Sequence, residues 1–152
     1  MTRKTKAEIL EAWRDGYAGL LAACRTRFAF LAQSHGYAEA ELDVKPPSGV
    51  VIYRRDDGTE LHINCEYNGK PWVVVNGGEP RLSYGVHEMI KLLAPEHEEK
   101  RPEVGDKPTD TERDAVLDYY ADFLREHRDA ALRAEPLLWQ QLAEARRKRM
   151  DG

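Results

Sequence analysis

The chain has 152 residues, of which 23 are Lys or Arg and 27 are Asp or Glu, for a formal net charge of −4. That is one ordinary domain's worth of polymer, long enough to bury roughly two thirds of its unfolded surface without a metal or disulfide staple. The acidic balance excludes a globally basic coat for nucleic acid or membrane, and 41 % hydrophobic residues exclude global disorder.

Thr5-Lys6-Ala7-Glu8 has the spacing of a capping box, in which hydroxyl and carboxylate satisfy reciprocal orphan amides. Behind it Ile9, Trp13, Tyr17, Leu20, Leu21, Cys24, Phe28 and Leu31 recur in steps of three or four. This predicts one helix of roughly 40 Å, stopped at Ser34-His35-Gly36. Gly16 and Gly19 lie inside it, so either a backbone packs closely there or the helix bends.

After a loop with Pro46-Pro47-Ser48-Gly49 the period changes. Val50-Val51-Ile52-Tyr53, Leu61-His62-Ile63-Asn64-Cys65 and Trp72-Val73-Val74-Val75 read as strands, separated by the hairpin dipeptides Asp57-Gly58 and Asn68-Gly69. Two-residue turns would set Tyr53 opposite His62, Ile52 opposite Ile63, and Arg55 opposite Glu60. They would likewise set Ile63 opposite Val74 and His62 opposite Val75. The expected core face is then Val50, Ile52, Leu61, Ile63, Cys65, Trp72 and Val74. The other face is Val51, Tyr53, His62, Asn64, Val73 and Val75.

Asn76-Gly77-Gly78 marks another turn, and Arg81-Leu82-Ser83 is a candidate fourth strand. A short helix follows on Val86, Met89, Ile90 and Leu93, ended by Pro95. The charged stretch to Pro108 reads as an exposed connector within one domain, residues 1–152. Thr109-Asp110-Thr111-Glu112 is a second capping box, opening a helix with the buried stripe Val116, Leu117, Tyr120, Phe123 and Leu124. Pro136 opens a last helix carrying Leu138, Trp139 and Leu142 and closing on Arg146-Arg147-Lys148-Arg149. The fold class expected is α+β: a three- to four-stranded antiparallel meander flanked by a long N-terminal helix and C-terminal helices.

The sharpest charge feature is a row of carboxylates four residues apart: Asp110, Asp114, Asp118, Asp122 and Glu126. Like charges at this spacing repel along a helix. On the helix itself only Arg113 and Arg125 are placed to offset it, so the row marks either an anionic surface for a basic partner or a solvated face paired within the fold with basic residues such as Arg14 or Arg25. The second candidate is Tyr53, His62 and Asn64 on the polar sheet face, docking a partner or sealed under a helix. The terminal basic run, Arg146 to Arg149, reads as a contact for nucleic acid or an acidic partner, as compensation of the helix dipole, or as a mate for the acidic row.

Metal and catalytic patterns are weak. His62 and Cys65 have an H-x-x-C spacing, but strand alternation points them to opposite faces. His87-Glu88-Met89-Ile90-Lys91 lacks the second histidine of a zinc-protease helix. There is no glycine-rich phosphate loop and no G-x-S-x-G elbow, so neither cofactor nor catalysis is expected. Cys24 and Cys65 stand far apart, no stretch approaches the ~18 apolar residues of a membrane span, and no apolar run follows the basic start. The expectation is a reduced, cytoplasmic protein without direct nucleic-acid or membrane contact, its oligomeric state left open with a homodimer as one option.

In layout and local phrasing the chain resembles small bacterial immunity-type proteins of polymorphic toxin systems. The resemblance rests on Val50 to Val75 with its two turns and on Ser83-Tyr84-Gly85-Val86-His87-Glu88-Met89-Ile90. It continues through Tyr119-Tyr120-Ala121-Asp122-Phe123-Leu124-Arg125-Glu126-His127 and Pro136-Leu137-Leu138-Trp139, about the last two thirds of the chain. It implies a non-enzymatic inhibitor that binds and occludes a toxin or effector domain, a basic one if the acidic row is the contact. The alternative is a chaperone-like or structural adaptor for an export or phage-defence component.

Overall fold

The computed structural model describes residues 3–67, 69–78 and 81–151. Thr5 caps the first helix, α1 (Lys6–Gly16), its hydroxyl accepting the Glu8 N–H at 3.1 Å. The single long helix expected here breaks twice, giving α2 (Ala18–Arg27) and α3 (Ala29–Ser34). The breaks fall at Tyr17 (φ −97, ψ 0) and Phe28 (φ −106, ψ 18), two aromatics drawn into the core. A straight helix of this length would run about twice as far as a seven-residue strand, which spans about 23 Å. Bending lets Cys24 of α2 and the Phe28 ring meet Tyr53 of the sheet, while α1 touches the neighbouring β1 and buries none of its residues. Gly16 serves both expected purposes: α1 ends there, and a Cβ would lie 2.9 Å from the Tyr67 ring. Gly36 takes the left-handed φ of +75 just past α3.

Five strands follow in meander order, all antiparallel: β1 (Glu41–Lys45), β2 (Ser48–Arg54), β3 (Glu60–Glu66), β4 (Trp72–Gly77) and β5 (Leu82–Gly85). The fold class is therefore α+β, with one strand more than expected. β5 is the anticipated fourth strand. β1 was not anticipated, because Glu-Leu-Asp-Val-Lys carries only Leu42 and Val44 as apolar residues.

The register corrects the expected pairing by one residue. Tyr53 lies opposite Leu61 and Ile52 opposite His62, not Tyr53 opposite His62. The cause is the loop: Gly58 N–H donates to Arg55 O at 3.0 Å, Gly58 has φ +91, and Arg55 N–H donates to Thr59 O at 2.9 Å. This is a type I turn followed by a left-handed glycine, a three-residue hairpin loop instead of a two-residue one. The Arg55–Glu60 pair is accordingly replaced by Arg54–Glu60. Across the next turn Asn64 meets Trp72 and Leu61 meets Val75, again one residue off. Gly69 N–H closes that turn on Glu66 O at 2.7 Å, while Asn68 lies outside the described residues.

A one-residue slip inverts the faces of β2 and β4 relative to β3. Val51, Ile63 and Val73 form one buried row, continued by the half-buried Leu42, and Tyr53, Leu61, Val75 and Tyr84 form the next. Leu61, Ile63 and Cys65 stay in the core as expected. Val51, Tyr53, Val73 and Val75 join them, while Val50, Ile52, Trp72 and Val74 move to the face of His62 and Asn64.

The helices cover the core face. After β5 come α4 (Val86–Leu93), a 3-10 turn (Pro95–Lys100), α5 (Asp110–Glu126), α6 (Arg128–Ala131) and α7 (Pro136–Asp151). The Thr109 capping box of α5 is complete, at 3.2 and 3.0 Å. The stripe of α5 is buried as expected, and α2 packs on it. Tyr53 Oη donates to Cys24 O at 3.2 Å, tying the sheet to α2, and Trp139 Nε1 donates to Gly77 O at 3.0 Å, tying α7 to β4. The connector is only partly exposed: His97 is buried in its first half, stacked on Tyr119 at 4.7 Å with Nε2 donating to Tyr119 O at 2.9 Å.

Gly49 shows how tightly the sheet meets α2's leading edge. A Cβ there would lie 2.9 to 3.0 Å from three atoms of the Tyr17 ring. That ring cannot retreat easily, because its hydroxyl donates to Pro47 O at 2.6 Å and Cys65 O at 3.2 Å. Gly49→Ala is expected to cost about 1–3 kcal/mol by overpacking. Thermal unfolding followed by circular dichroism checks it; an unchanged midpoint would show that the ring yields.

Candidate functional site

The face of the sheet turned away from the helices carries four cross-strand rows, the outermost being Lys45, Ser48 and Glu66. Of the other three, the middle row is Glu41, Ile52, His62, Val74 and Gly85, and one flank is Asp43, Val50, Asn64 and Trp72. The other flank is Arg54, Glu60, Asn76 and Ser83. Trp72 is 42 % exposed, and Val50, His62, Asn64 and Val74 are half-buried. Ile52 is buried by its neighbours yet stands outside the cluster that forms the core. Four apolar side chains thus line a face that a wet antiparallel sheet would keep polar.

Its charged edge is organised around Glu60. Arg54 Nε donates to Glu60 Oε2 at 3.0 Å and also pairs with Glu41, while Arg81 Nη2 lies 3.7 Å from Glu60 Oε1. His62 Nε2 is 2.9 Å from the same Oε1, and an ionised carboxylate can only accept, so Nε2 carries the proton. Burial works to raise the Glu60 carboxyl, but the bonds from His62 and Arg54 outweigh it and hold its pKa below the usual range. The two acids and two arginines of this edge cancel, so the face presents an apolar strip beside a neutralised polar border.

His62 and Asn64 therefore lie where the sequence places them, but Tyr53 does not join them. It faces the core at 2 % exposure, and burial pushes its phenol pKa up. The register slip explains this, since it separates Tyr53 from His62 by the thickness of the sheet.

The carboxylate row runs along α5, largely matched by arginines. Arg27, at the end of α2, has Nη2 3.5 Å from Asp114 Oδ2 and Nε 3.0 Å from Asp118 Oδ1, the latter without an aligned hydrogen bond. Arg113 pairs with Asp114 at 2.9 Å and with Asp110 at 3.4 Å. Arg125 pairs with Asp122 at 3.0 Å and donates to Arg27 O at 2.9 Å. Asp110 remains largely in water, with its side chain 92 % exposed, and Glu126 is exposed too. Arg113 and Arg125 answer the row from its own helix as expected, and Arg27 takes the place expected of Arg14 or Arg25. Part of the row is a seam between α2 and α5, where each exposed pair adds at most about 1 kcal/mol.

One ionic cluster has no counterpart among the expectations. Glu88, in α4, is nearly buried, and its carboxylate accepts from Gly85 N–H at 2.9 Å. Arg146 Nε and Nη2 donate to it at 2.9 and 2.8 Å, and Arg149 Nη2 at 2.7 Å. Burial works to raise this carboxyl, but the two arginines and the amide bring its pKa down to about 2. The signal was the spacing of Arg146 and Arg149, three residues apart and so on one helix face. What the sequence lacked was the mate, 58 residues away.

Burial pushes the Cys24 thiol up to about 12 and raises Cys65 as well, so neither is a thiolate at neutral pH. Among the described residues no three side chains of His, Cys, Asp and Glu converge as metal ligands would, and no helix is long and apolar enough to cross a membrane. No protein-family model, no curated protein and no solved structure matches the chain.

Proposed function

We propose that the protein is a non-catalytic protein-binding module that receives its partner on the open face of the sheet. The mode is that of the immunity-type proteins it resembles in layout: one-to-one occlusion of a toxin or effector domain. The observation that supports this is the strip of Val50, Ile52, Val74 and the 42 % exposed Trp72, lying outside the core and beside a neutralised polar edge. An exposed tryptophan among aliphatic neighbours, bordered by polar groups that exclude water on contact, has the make-up of an interface hot spot. The complementary partner surface carries an apolar patch with mixed polar surroundings. The acidic row contributes less to this reading, because three arginines already answer it.

The test is affinity capture from the native host with the tagged chain and its Trp72→Arg variant, read by mass spectrometry. A protein recovered in one-to-one amount with the parent, and depleted about tenfold or more with the variant, is the expected result. Equal recovery by both chains would remove the sheet face from the account. Circular dichroism of the variant checks that the exposed substitution leaves the fold intact.

A further inference from the structure

A second surface, separate from the sheet face, lies between α4 and α7. Glu88, Lys91, Leu92, Leu142, Ala145, Lys148 and Arg149 line a cleft of about 280 Å³. Its floor is aliphatic: Leu142 and Ala145 from one helix, and the exposed Leu92 from the other. Its borders are cationic on both sides, with Lys91 on α4 and Lys148 and Arg149 on α7. Lys148 lies 3.7 Å from Glu144 in a weak, exposed pair, which a ligand carboxylate can replace. The one carboxylate in the lining is already saturated. Glu88 accepts from Gly85 N–H, Arg146 and Arg149, and with a pKa near 2 it stays ionised at any physiological pH. The same bonds hold the Arg149 guanidinium at the cleft's edge, so part of the cationic border is oriented in advance.

We propose that this cleft binds a short acidic amphipathic helix of a partner protein, its apolar side chains on the floor and its carboxylates against Lys91, Lys148 and Arg149. The volume is just below the roughly 300 Å³ at which pockets begin to hold whole small ligands, so it suits protruding side chains. A groove between two helices with an apolar floor is the geometry of helix-in-groove recognition. Phosphate binding fits less well, because the floor of Leu92, Leu142 and Ala145 offers a phosphate no donor. The charge complements an acidic segment even though the chain as a whole is acidic.

The experiment uses the full chain and a fluorescein-labelled synthetic helical peptide with leucines on one face and glutamates beside them, read by anisotropy. Controls are a scrambled peptide of the same composition, an oligothymidylate and phosphatidylserine vesicles. The amphipathic peptide should bind saturably, weaken with added salt, and outbind the scrambled one about tenfold. Lys91→Glu combined with Lys148→Glu, and separately Leu92→Asp, should each weaken it about tenfold, while Trp72→Arg leaves it unchanged. All these positions are solvent-facing, and circular dichroism verifies each variant. Absence of saturable binding overturns the proposal, as does binding indifferent to both cleft variants. Binding of the oligothymidylate or the vesicles through the same lysines, with none of the peptide, overturns it in favour of phosphate. Loss with Trp72→Arg alone would place the peptide on the sheet face.

Discussion

Val73→Asp is expected to remove a large share of the chain's stability, while Val74→Asp, one residue further along the same strand, costs little. Val73 is 1 % exposed and lies opposite Ile63 in the row that continues to Val51 and Leu42. Replacing it removes the burial of a valine, about 1.5–3 kcal/mol, and puts a carboxyl among aliphatic side chains with no donor in reach. Together these cost about 4–6 kcal/mol, against a total of about 5–15 kcal/mol for a domain. Val74 is half-buried beside His62 on the open face, where a carboxylate keeps water and gains a neighbouring imidazole. Its expected cost is about 1 kcal/mol. Urea unfolding at neutral pH compares the two. If Val74→Asp is the more destabilised of the two, the sheet has the other register. The folded Val74→Asp variant then serves a second purpose, since a charge in the apolar strip should abolish capture of a partner docked there.

That pair of residues also marks where the sequence stops being legible. Strand positions, turn positions and the helical stripes of α5 and α7 were readable, because periodicity and capping act locally. The faces were not, because Asp57-Gly58 fits both a two-residue and a three-residue hairpin, and the two differ by one residue of register. The pairing set by two-residue turns is internally consistent and still inverted for β2 and β4, since both registers are displaced by one residue. β3 alone was placed correctly, its Leu61, Ile63 and Cys65 being the only apolar alternation open to it. The long N-terminal helix failed for a different reason. Its stripe runs through Tyr17 and Phe28 without interruption, and nothing local announces that the sheet beneath is too short for it.

The candidate surfaces divide in the same way. His62 and Asn64 were findable from alternation, whereas Trp72 and Val74 became surface residues only through the register. The carboxylate row was visible as a pattern, but its partner Arg27 is 87 residues or more from the aspartates it meets, and tertiary ion pairs leave no periodic trace. Glu88 is the clearest case. It looked like a failed metal motif beside His87, and in the fold it is the anchor of α7.

Glu88→Ala should destabilise the protein by about 2–4 kcal/mol, because it leaves two guanidiniums facing each other and the Gly85 N–H without an acceptor. The lower part of the range applies because Arg146 and Arg149 are half in water, their side chains 42 % and 55 % exposed. The pH dependence gives a sharper test than the magnitude. In the folded chain the carboxyl has a pKa near 2, against 4.5 for the free group, so the folded state favours the ionised form. Its contribution is therefore fully present above pH 4.5 and lost as the pH falls toward 2. Other lowered carboxyls, Glu60 and Asp57 among them, titrate in the same region, so the informative quantity is a difference. The stability gap between the parent and Glu88→Gln, measured by urea unfolding, should be constant at neutral pH and close between pH 4.5 and 2. Glutamine keeps an acceptor for Gly85 N–H, so what closes is the ionic share alone. A gap that stays constant down to pH 2 would mean that the arginines do not hold the charge, and that α7 docks on α4 through Leu142 and its aliphatic neighbours without them.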